Sequence, residues 1–361
     1  MPPSPLTQAC LDPHTGPIRS ATYLPSTPEN VIWGRLPARD DTPVLTVDPG
    51  TEVTIDTISH EGILEDQGRN PEAFFAAHGV EHVLTDAAAL AASDTPRTFG
   101  VDGPHVVTGP IDIRGARAGD VLAITVVDTL PRVPYGIISN RHGRGALPGE
   151  YPRHGELLSV FAHLDPLDPT RATMAYGPDD TRTVNFPIAP FLGIMGVATD
   201  TDQRAHSVPP GPHGGNIDIN LLTTGATLYL PVQVPGALAY IGDPHFAQGD
   251  GEVALTALEA SLRATVRFDV ITREDALTTF GNLVGPLAET RDFLVPTGMD
   301  EDLDIATQNC VRAAIALLQA RYGMDPSYAY AYLSAATDFD ISQVVDLVKG
   351  VHARIRKTDF T

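Results

Sequence analysis

The sequence has little cysteine, few aromatic residues and no long apolar run. Its two cysteines, Cys10 and Cys310, lie near opposite ends of the chain and form no Cys-x-x-Cys pair, which excludes a thiolate metal site and a disulfide framework. Cys310 falls in a helical apolar pattern, so we expect a small buried hydrophobe there. No stretch reaches the roughly 18 uninterrupted apolar residues that a membrane-spanning helix needs.

Positive charge is also scarce. Lys and Arg number 24 against 45 Asp and Glu, which gives a formal net charge of -21. So acidic a chain repels phosphate, and we therefore expect no nucleic-acid partner and no anionic membrane surface. The start at Met1 has neither a basic segment nor an apolar segment of the kind found in signal peptides. These features predict a soluble cytoplasmic protein, with carboxylates available to hold cations.

Several common catalytic patterns are missing. There is no Gly-x-Ser-x-Gly turn to carry an esterase-type serine and no Gly-Gly-Ser-Ser stretch for Ser-Ser-Lys amidase chemistry. The glycine patterns of Rossmann folds and P-loops are absent, as is the zinc motif His-Glu-x-x-His. A serine nucleophile or a nucleotide cofactor therefore has no support.

Proline and glycine, 32 residues each in a chain of 361, are abundant. They interrupt residues 1–300 at short intervals, a spacing typical of short strands joined by turns. Alternating or β-branched segments predict strands over 44–47, 51–56, 121–127, 227–234 and 264–271. The sequence therefore predicts a mainly β fold.

Two regions carry helical spacing instead. Residues 71–92 predict a helical insertion interrupted by Gly79. Residues 300–349 predict three helical stretches, the last over 341–348, and Asp325-Pro326-Ser327 is a suitable start for the middle one.

Residues 212–252 concentrate polar groups among glycines, which allow a backbone to approach a small ligand. The candidate side chains are His213, Asn216, Asp218, Asp243, His245, Gln248, Asp250 and Glu252. Imidazole with carboxylate suits zinc, and carboxylates with water suit calcium. Such an ion lowers the pKa of water and polarises an amide carbonyl, while Glu252 or Asp250 could move the proton. The alternative is ordinary turn chemistry with structural histidines.

The same block carries a family resemblance. The stretches 213–218, 225–232, 242–245 and 248–252 resemble the central signature of the acetamidase/formamidase family. Weaker similarity covers 107–122 upstream and 299–303 and 341–352 downstream, so the resemblance runs from about residue 44 to 355. Two polar loops, 59–79 and 139–150, are elaborations that the simplest members lack.

The resemblance implies a jelly-roll-like β-sandwich with a second β-rich part and an α+β C-terminal section. The corresponding division is 1–200 for an N-terminal β-sandwich with the helical insertion near 71–92, 201–275 for a central part with the site motifs, and 276–361 for the C-terminal section. It further implies a metal-associated hydrolase of short amides that acts as a homodimer.

The resemblance also suggests roles, which we state as hypotheses. His245 and Asp218 are the first candidates for metal ligands, joined by His213, by Asp243 (which could instead orient His245) and by His60 with its neighbour Glu61. Glu252 is a candidate ligand or general base, alongside Asp250. Asn216 and Gln248 are candidates for hydrogen bonds to the substrate. The metal is expected to be zinc, with calcium as the alternative.

Three functions remain open at this point. The leading one is hydrolysis of formamide- or acetamide-like amides to carboxylate and ammonia. The same site could open cyclic amides or imides, since only the shape of the pocket would differ. A non-catalytic β-sandwich that binds calcium through its acidic groups is the alternative outside enzymes.

Overall fold

The computed structural model describes residues 10–178 and 180–360, and short strands dominate it. The first eleven strands are β1 Thr22–Leu24, β2 Val31–Trp33, β3 Arg35–Leu36, β4 Leu45–Val47, β5 Thr51–Asp56, β6 Val106–Ile113, β7 Val121–Pro131, β8 Tyr135–Arg141, β9 Leu157–Leu164, β10 Arg171–Ala175 and β11 Thr183–Pro187. The others are β12 Phe191–Gly196, β13 Ala205–His206, β14 Gly214–Asn216, β15 Thr227–Pro231, β16 Ala239–Ala247, β17 Leu258–Glu259, β18 Leu262–Ile271, β19 Leu287–Glu289, β20 Phe293–Asp300, β21 Asp338–Gln343 and β22 Lys349–Arg356. The prediction of a mainly β fold is confirmed.

Helices are fewer. They are α1 Pro71–Ala76, α2 Thr85–Ala92, α3 Arg273–Phe280, α4 Leu303–Tyr322 and α5 Pro326–Ala336, with single 3-10 turns at Pro28–Asn30, Glu65–Gln67 and Lys357–Asp359. Among the described residues, no helix combines the length and the apolar character that crossing a bilayer would require.

Two large sheets organise the described residues. One has nine strands in the order β1-β5-β18-β7-β15-β19-β20-β22-β21. The other has eleven strands and runs β11-β10-β9-β8-β17-β16-β12-β14, with β6 joining β16 to β2 and β4. Strands β3 and β13 form a small separate pair.

The main hydrophobic core lies between these two sheets. Ile124 on β7 and Phe268 on β18 come from the first sheet, and Met195 on β12 and Ile241 on β16 come from the second, all without solvent exposure. Fully burying one such side chain stabilises the fold by about 1.5–3 kcal/mol. The alternation expected for 264–271 is confirmed at Val266 and Phe268, which are buried, while Arg267 and Asp269 are not.

Local capping residues explain where the C-terminal helices begin and end. Asp302 caps α4 by accepting the backbone N–H groups of Asp304 and Ile305, and Gly323 ends it in the left-handed region with φ 64°. Asp325 caps α5 in the same way, with Pro326 in its first turn, as the sequence predicts. Cys310 on α4 is fully buried, as expected. Helix α4 packs against β20 and β22 and covers the end of the nine-stranded sheet.

The expected helical insertion forms α1 and α2, with Gly79 in the break between them. The prediction of a helix over 341–348 is wrong. Residues 338–343 form β21, which pairs antiparallel with β22, and a tight turn follows. The aliphatic residues 341, 344, 345 and 348 mimic a helical spacing because they straddle the end of a strand and a turn.

The nine-stranded sheet combines strands from all three predicted sections: β7 from the first, β15 and β18 from the second, and β20 and β22 from the third. The sections thus share a sheet, and the boundaries at 200 and 275 stay a prediction.

Candidate metal centre

The candidate site is built around neighbouring strands of the eleven-stranded sheet. His245 on β16 and Glu259 on β17 are direct antiparallel partners, so their side chains lie on the same face. His245 Nε2 is 3.0 Å from Glu259 Oε1 and 3.2 Å from Asp243 Oδ2. Despite these short distances, Nε2 has no hydrogen-bond partner.

Strand β12 provides the floor on which these groups converge. A Cβ atom added at Gly193 would lie 2.6 Å from Asp243 Oδ2 and 2.7 Å from His245 Cε1, and closer still to Asp218. The Gly193 carbonyl also accepts the backbone N–H of Asp218, which fixes that residue after β14. The position therefore excludes any side chain, since the space is taken by three polar groups.

Glu252 and Asp346 are brought together by contacts between a loop and the C-terminal hairpin. Gly251 N–H donates to the Ser342 carbonyl, and Gln248 Nε2 donates to the carbonyls of Asp218 and Ser342. On the hairpin, Gln343 Oε1 accepts the backbone N–H of Asp346 at 3.0 Å. Asp218, Glu252 and Asp346 thereby form one group of buried carboxyls whose oxygens lie within 4.8 Å of one another.

His60 reaches the site from the segment after β5. Its Nδ1 lies 3.7 Å from Asp243 Oδ1 and 3.9 Å from Glu259 Oε2, and it has no hydrogen-bond partner. Its other nitrogen, Nε2, is 3.3 Å from Glu61 Oε1. Ser139 Oγ donates to Glu61 at 2.6 Å.

On the far side of Glu61, Arg141 forms ion pairs with Glu61 and Asp66.

His105, just before β6, completes this side of the cluster. Its ring stands edge-on to His60 with centroids 5.3 Å apart, and Nε2 lies 3.8 Å from Asp243 Oδ1. Nδ1 is 3.0 Å from Ser207 Oγ, which fixes the ring. Burial lowers the pKa of His105 to about 3, so this imidazole is neutral and can donate a lone pair.

Three acidic residues of the site have an unusual backbone conformation, with positive φ. Asp218, Asp243 and Glu252 have φ values of 47°, 51° and 46°, in the left-handed region that residues other than glycine rarely adopt. Each such residue costs of the order of 1–3 kcal/mol, and this strain is typical of functional sites.

The pKa values of the carboxyl groups shift in opposite directions, upward through burial and repulsion between carboxylates and downward beside an imidazole. Burial raises the pKa of Glu252, Asp218 and Asp346 well above the ordinary value, and neighbouring carboxylates add to the effect. Burial also favours neutral Asp243, but the imidazole of His245 outweighs it and holds the pKa of Asp243 well below the ordinary value.

The histidines respond to the same charges. Burial works to lower the pKa of His245, but Glu259 and Asp243 outweigh it and raise that pKa well above the ordinary value. Burial is likewise outweighed at His60, whose pKa rises to about 10 beside Asp243 and Glu61. Burial raises the pKa of Glu259.

The donor set fits a divalent cation. Buried nitrogen and oxygen atoms without hydrogen-bond partners occur on His60, His245, Asp218, Asp243, Glu259 and Asp346. Unpartnered buried polar atoms are rare and costly, and histidine with carboxylate is the ligand chemistry of zinc. A pocket opens onto this set and is lined by His60, His105, Asn216, Asp243, Glu252, Glu259 and Asp346.

Some sequence-predicted residues lie elsewhere. His213 is buried, which lowers its pKa to about 4, and it is in none of the converging donor groups of the described residues. Asp250 is exposed and forms a separate group with Asp340 and His352. Gln248 uses its amide N–H to connect backbone segments, while its buried Oε1 is unpartnered. The roles suggested for these three residues stay predictions. The fold does bring together the other predicted residues, His245, Asp218, Asp243, His60, Glu252 and Asn216. Their individual roles also stay predictions.

Three members of the cluster are not among the candidates predicted from the sequence: His105, Glu259 and Asp346. Glu259 carries a usable signal, since it is the charged residue in an otherwise apolar Ala257–Ala260 stretch. Asp346 similarly interrupts an aliphatic segment. His105 offers no local sign beyond its place before a strand.

Fold and site together define a β-sandwich protein with a buried histidine–carboxylate centre under an open pocket. Residues 200–355 match the model of the Acetamidase/Formamidase family. The predicted resemblance to that family is thus confirmed.

Two relatives of known name are also similar to this chain in sequence. A Schizosaccharomyces pombe protein provisionally named a formamidase is 30% identical, with 46% of this chain and 52% of that protein covered. The formamidase of Methylophilus methylotrophus is 26% identical, with 67% and 74% covered. The chain therefore spans about half the length of the first of these curated relatives and about three quarters of the second.

A solved structure, the acetamidase from Yersinia enterocolitica, shares the fold over almost the whole chain. It has a TM-score of 0.73 and 25% sequence identity, with 98% of this chain and 96% of that chain covered.

Proposed function

We propose that this chain hydrolyses the C–N bond of small linear amides such as formamide and acetamide, yielding a carboxylate and ammonia. The observation that carries this proposal is the convergence of unpartnered His60, His245, Asp243 and Glu259 atoms beside a pocket. The names of the two relatives and of the solved structure, formamidase and acetamidase, point to the same substrate class.

The proposal includes a divalent cation, with zinc favoured because imidazoles and carboxylates share the site. His245, His60, His105, Asp243 and Glu259 are the residues that would hold it. When bound, such an ion polarises an amide carbonyl and lowers the pKa of water. Calcium is the alternative for the all-carboxylate group formed by Asp218, Glu252 and Asp346.

Glu252 is the proposed general base. Its side chain lines the pocket beside the donor cluster and makes no ion pair with an arginine or lysine among the described residues. It would take a proton from the attacking water and return it to the departing nitrogen, so that amide and water become carboxylic acid and ammonia. The buried, unpartnered Asn216 Oδ1 is suited to accept an N–H of the substrate amide.

We further propose a cytoplasmic homodimer. Both cysteines are free thiols, which fits a reducing compartment. Tyr328 and Tyr330 on α5 are 74% and 62% exposed, and such tyrosines are common at protein interfaces. Light scattering on the purified protein tests the dimer.

The activity is tested by measuring ammonia released from formamide and acetamide before and after removal of metal with a chelator. The proposal expects release by the metal-loaded protein, loss after chelation and recovery on adding zinc. Ammonia release that is unaffected by complete metal removal would contradict the cation, and absence of release from folded, loaded protein would contradict the amidase.

A further inference from the structure

The pocket is larger than formamide or acetamide requires. Its volume is about 230 Å³. A protein cavity of about 150 Å³ holds one benzene molecule, so the pocket holds about nine non-hydrogen atoms at the same packing. Formamide or acetamide would fill less than about half of this space. An amide that fills the pocket therefore carries a longer acyl chain.

The pocket has a buried polar end and an exposed end. Glu252 and Asn216, the proposed base and the proposed partner of the substrate amide, are buried. Phe99 and Val101 line the exposed end, and both are 59% exposed. Large apolar side chains that face solvent beside a cleft are typical of a surface that a ligand covers. A substrate whose amide lies at Glu252 would extend its chain toward these two residues.

Three arginines also line the pocket, and two of them have acidic partners. Arg97 forms an ion pair with Glu65, and Arg141 Nε lies 2.7 Å from Asp66 Oδ2. Arg144 lines the same pocket, is exposed, and forms no ion pair with another side chain of the described residues. Its guanidinium is therefore free to bind an anionic group of a ligand, and arginine suits carboxylates because it can donate two parallel hydrogen bonds.

The charge of Arg144 acts on the pocket itself. His206, another residue of the lining, is half-buried, and burial lowers its pKa. The charges of Arg35 and Arg144 add to this effect, and Asp102 opposes it. His206 is therefore neutral, and the positive charge that an anion would meet there is that of the guanidinium.

The backbone connects Arg144 to the proposed base. Arg144 lies in the 142–156 loop between β8 and β9, and its N–H donates to the Arg141 carbonyl at 3.0 Å. In the same loop, the Ala146 N–H donates to the Val253 carbonyl at 2.8 Å, and Val253 directly follows Glu252. A ligand group held at Arg144 is thus held at a fixed place relative to Glu252.

We propose that the preferred substrate is a half-amide of a short dicarboxylic acid, with its carboxamide at Glu252 and its carboxylate bound by Arg144. Roughly two or three methylene groups between these ends match the volume of the pocket. Water adds to the amide carbonyl and the C–N bond breaks, so that the half-amide and water become the dicarboxylate and ammonium. This inference rests on the proposed function and specifies its substrate.

The test compares two amides of similar size on folded, zinc-loaded protein. Succinamate carries a carboxylate, and levulinamide has a neutral acetyl group in its place. A hydrogen bond to a charged group typically strengthens binding by about ten- to hundredfold. We therefore expect kcat/KM for succinamate to exceed that for levulinamide at least about tenfold, as measured by ammonia release.

Replacing Arg144 should remove this preference, mainly through KM. The ratio of the two kcat/KM values should fall at least about tenfold in Arg144→Met. Arg144→Lys should retain part of the preference, because the charge remains while the paired hydrogen bonds are lost. The matched control is Arg153→Met, since Arg153 is an exposed arginine of the same loop that does not line the pocket. Its ratio should equal that of the wild type, and circular dichroism confirms that each variant is folded.

Binding of succinate, the product, gives a second measurement that needs no turnover. Calorimetry should show at least about tenfold weaker binding to Arg144→Met than to the wild type. Hydrolysis of acetamide and levulinamide without a preference for succinamate, or with a preference that Arg144→Met retains, overturns the inference and leaves the proposed function intact. Loaded protein that releases no ammonia from any of these amides, but binds succinate through Arg144, overturns the proposed function and supports the anion-binding end of the pocket.

Discussion

His245 and Glu259 face each other as cross-strand partners of β16 and β17, with 3.0 Å between His245 Nε2 and Glu259 Oε1 and no hydrogen bond. A buried imidazole beside a buried carboxylate would ordinarily form one. Instead, His245 Nε2 and Glu259 Oε2 are buried and have no hydrogen-bond partner. The register of two strands thus creates a ligand position, and the account of function depends on it.

Replacing Glu252 by Gln should lower kcat for acetamide by about 100- to 10,000-fold, because a general base typically contributes that much. The metal content should be retained, as Gln keeps the side chain's size. Ammonia assays with metal analysis on the same sample measure both quantities.

Two comparisons make the Glu252 experiment specific. Glu274→Gln, at the exposed start of α3, is the matched control and should leave kcat unchanged. Asp250→Asn should also retain activity, because Asp250 lies in a different group of side chains. If Asp250→Asn is inactive and Glu252→Gln is active, the assignment of the base is wrong.

Replacing Gly193 by Ala should reduce zinc content and activity together. The new Cβ would lie 2.6 Å from Asp243 Oδ2 and 2.7 Å from His245 Cε1, so the ligands must move. Overpacking of this kind costs about 1–3 kcal/mol. Zinc titration by calorimetry measures the loss of affinity, ammonia release measures the loss of activity, and thermal unfolding measures the loss of stability.

Gly149→Ala is the control for that variant, because a Cβ there meets nothing within 4 Å. It should bind zinc like the wild type. Normal zinc affinity in Gly193→Ala would show that β12 is not the floor of the metal site.

Metal affinity should increase with pH. The pKa of His245 is raised well above its ordinary value because Glu259 and Asp243 outweigh the effect of burial, so its proton persists to higher pH. Burial raises the pKa of Glu259 in the same direction. Each group must lose its proton to bind an ion, so binding releases protons and strengthens as pH rises.

Zinc titrations between about pH 5.5 and 8 in two buffers of different ionisation enthalpy measure that linkage. The dissociation constant should fall with pH, and the observed enthalpy should depend on the buffer. A pH-independent constant with no proton release would mean that the protonated groups are not ligands.

Replacing Arg132 by Met should destabilise the fold by about 3–5 kcal/mol, since it leaves the buried Asp86 carboxylate without its charged partner. Arg132 Nη2 lies 2.9 Å from Asp86 Oδ2 and 3.5 Å from Asp56 Oδ2, and all three side chains are fully buried. Urea unfolding measures the change. Arg114→Met removes an exposed pair with Asp48 and should cost under about 1 kcal/mol. Equal losses of unfolding free energy in the two variants would contradict the larger contribution assigned to the buried ion pair.

The sequence predicts strands and helices wherever a local pattern decides the structure. The alternation of Val266 and Phe268 and the capped start of α5 at Asp325 both depend on near neighbours, and both predictions are confirmed. Residues 341–348 depend on pairing between β21 and β22, and there the local spacing misleads.

The residues of the site also divide into those that a local pattern reveals and those that only the tertiary fold brings together. Asp243 and His245 stand in one glycine-rich motif, so the sequence reveals them. Glu259 belongs to a two-residue strand, and its contact with His245 exists only through sheet register. His60 follows β5 of one sheet and His105 precedes β6 of the other, so their contact depends on the tertiary fold and on no local pattern.

The most direct test of the amidase proposal is ammonia release from formamide, acetamide, propionamide and a cyclic imide by folded, zinc-loaded protein. The account predicts ammonia from the linear amides, with kcat/KM falling as the chain outgrows the pocket, and a loss of at least about 100-fold in Glu252→Gln. Loaded protein that releases no ammonia from any linear amide, whether or not it opens the cyclic imide, would contradict it.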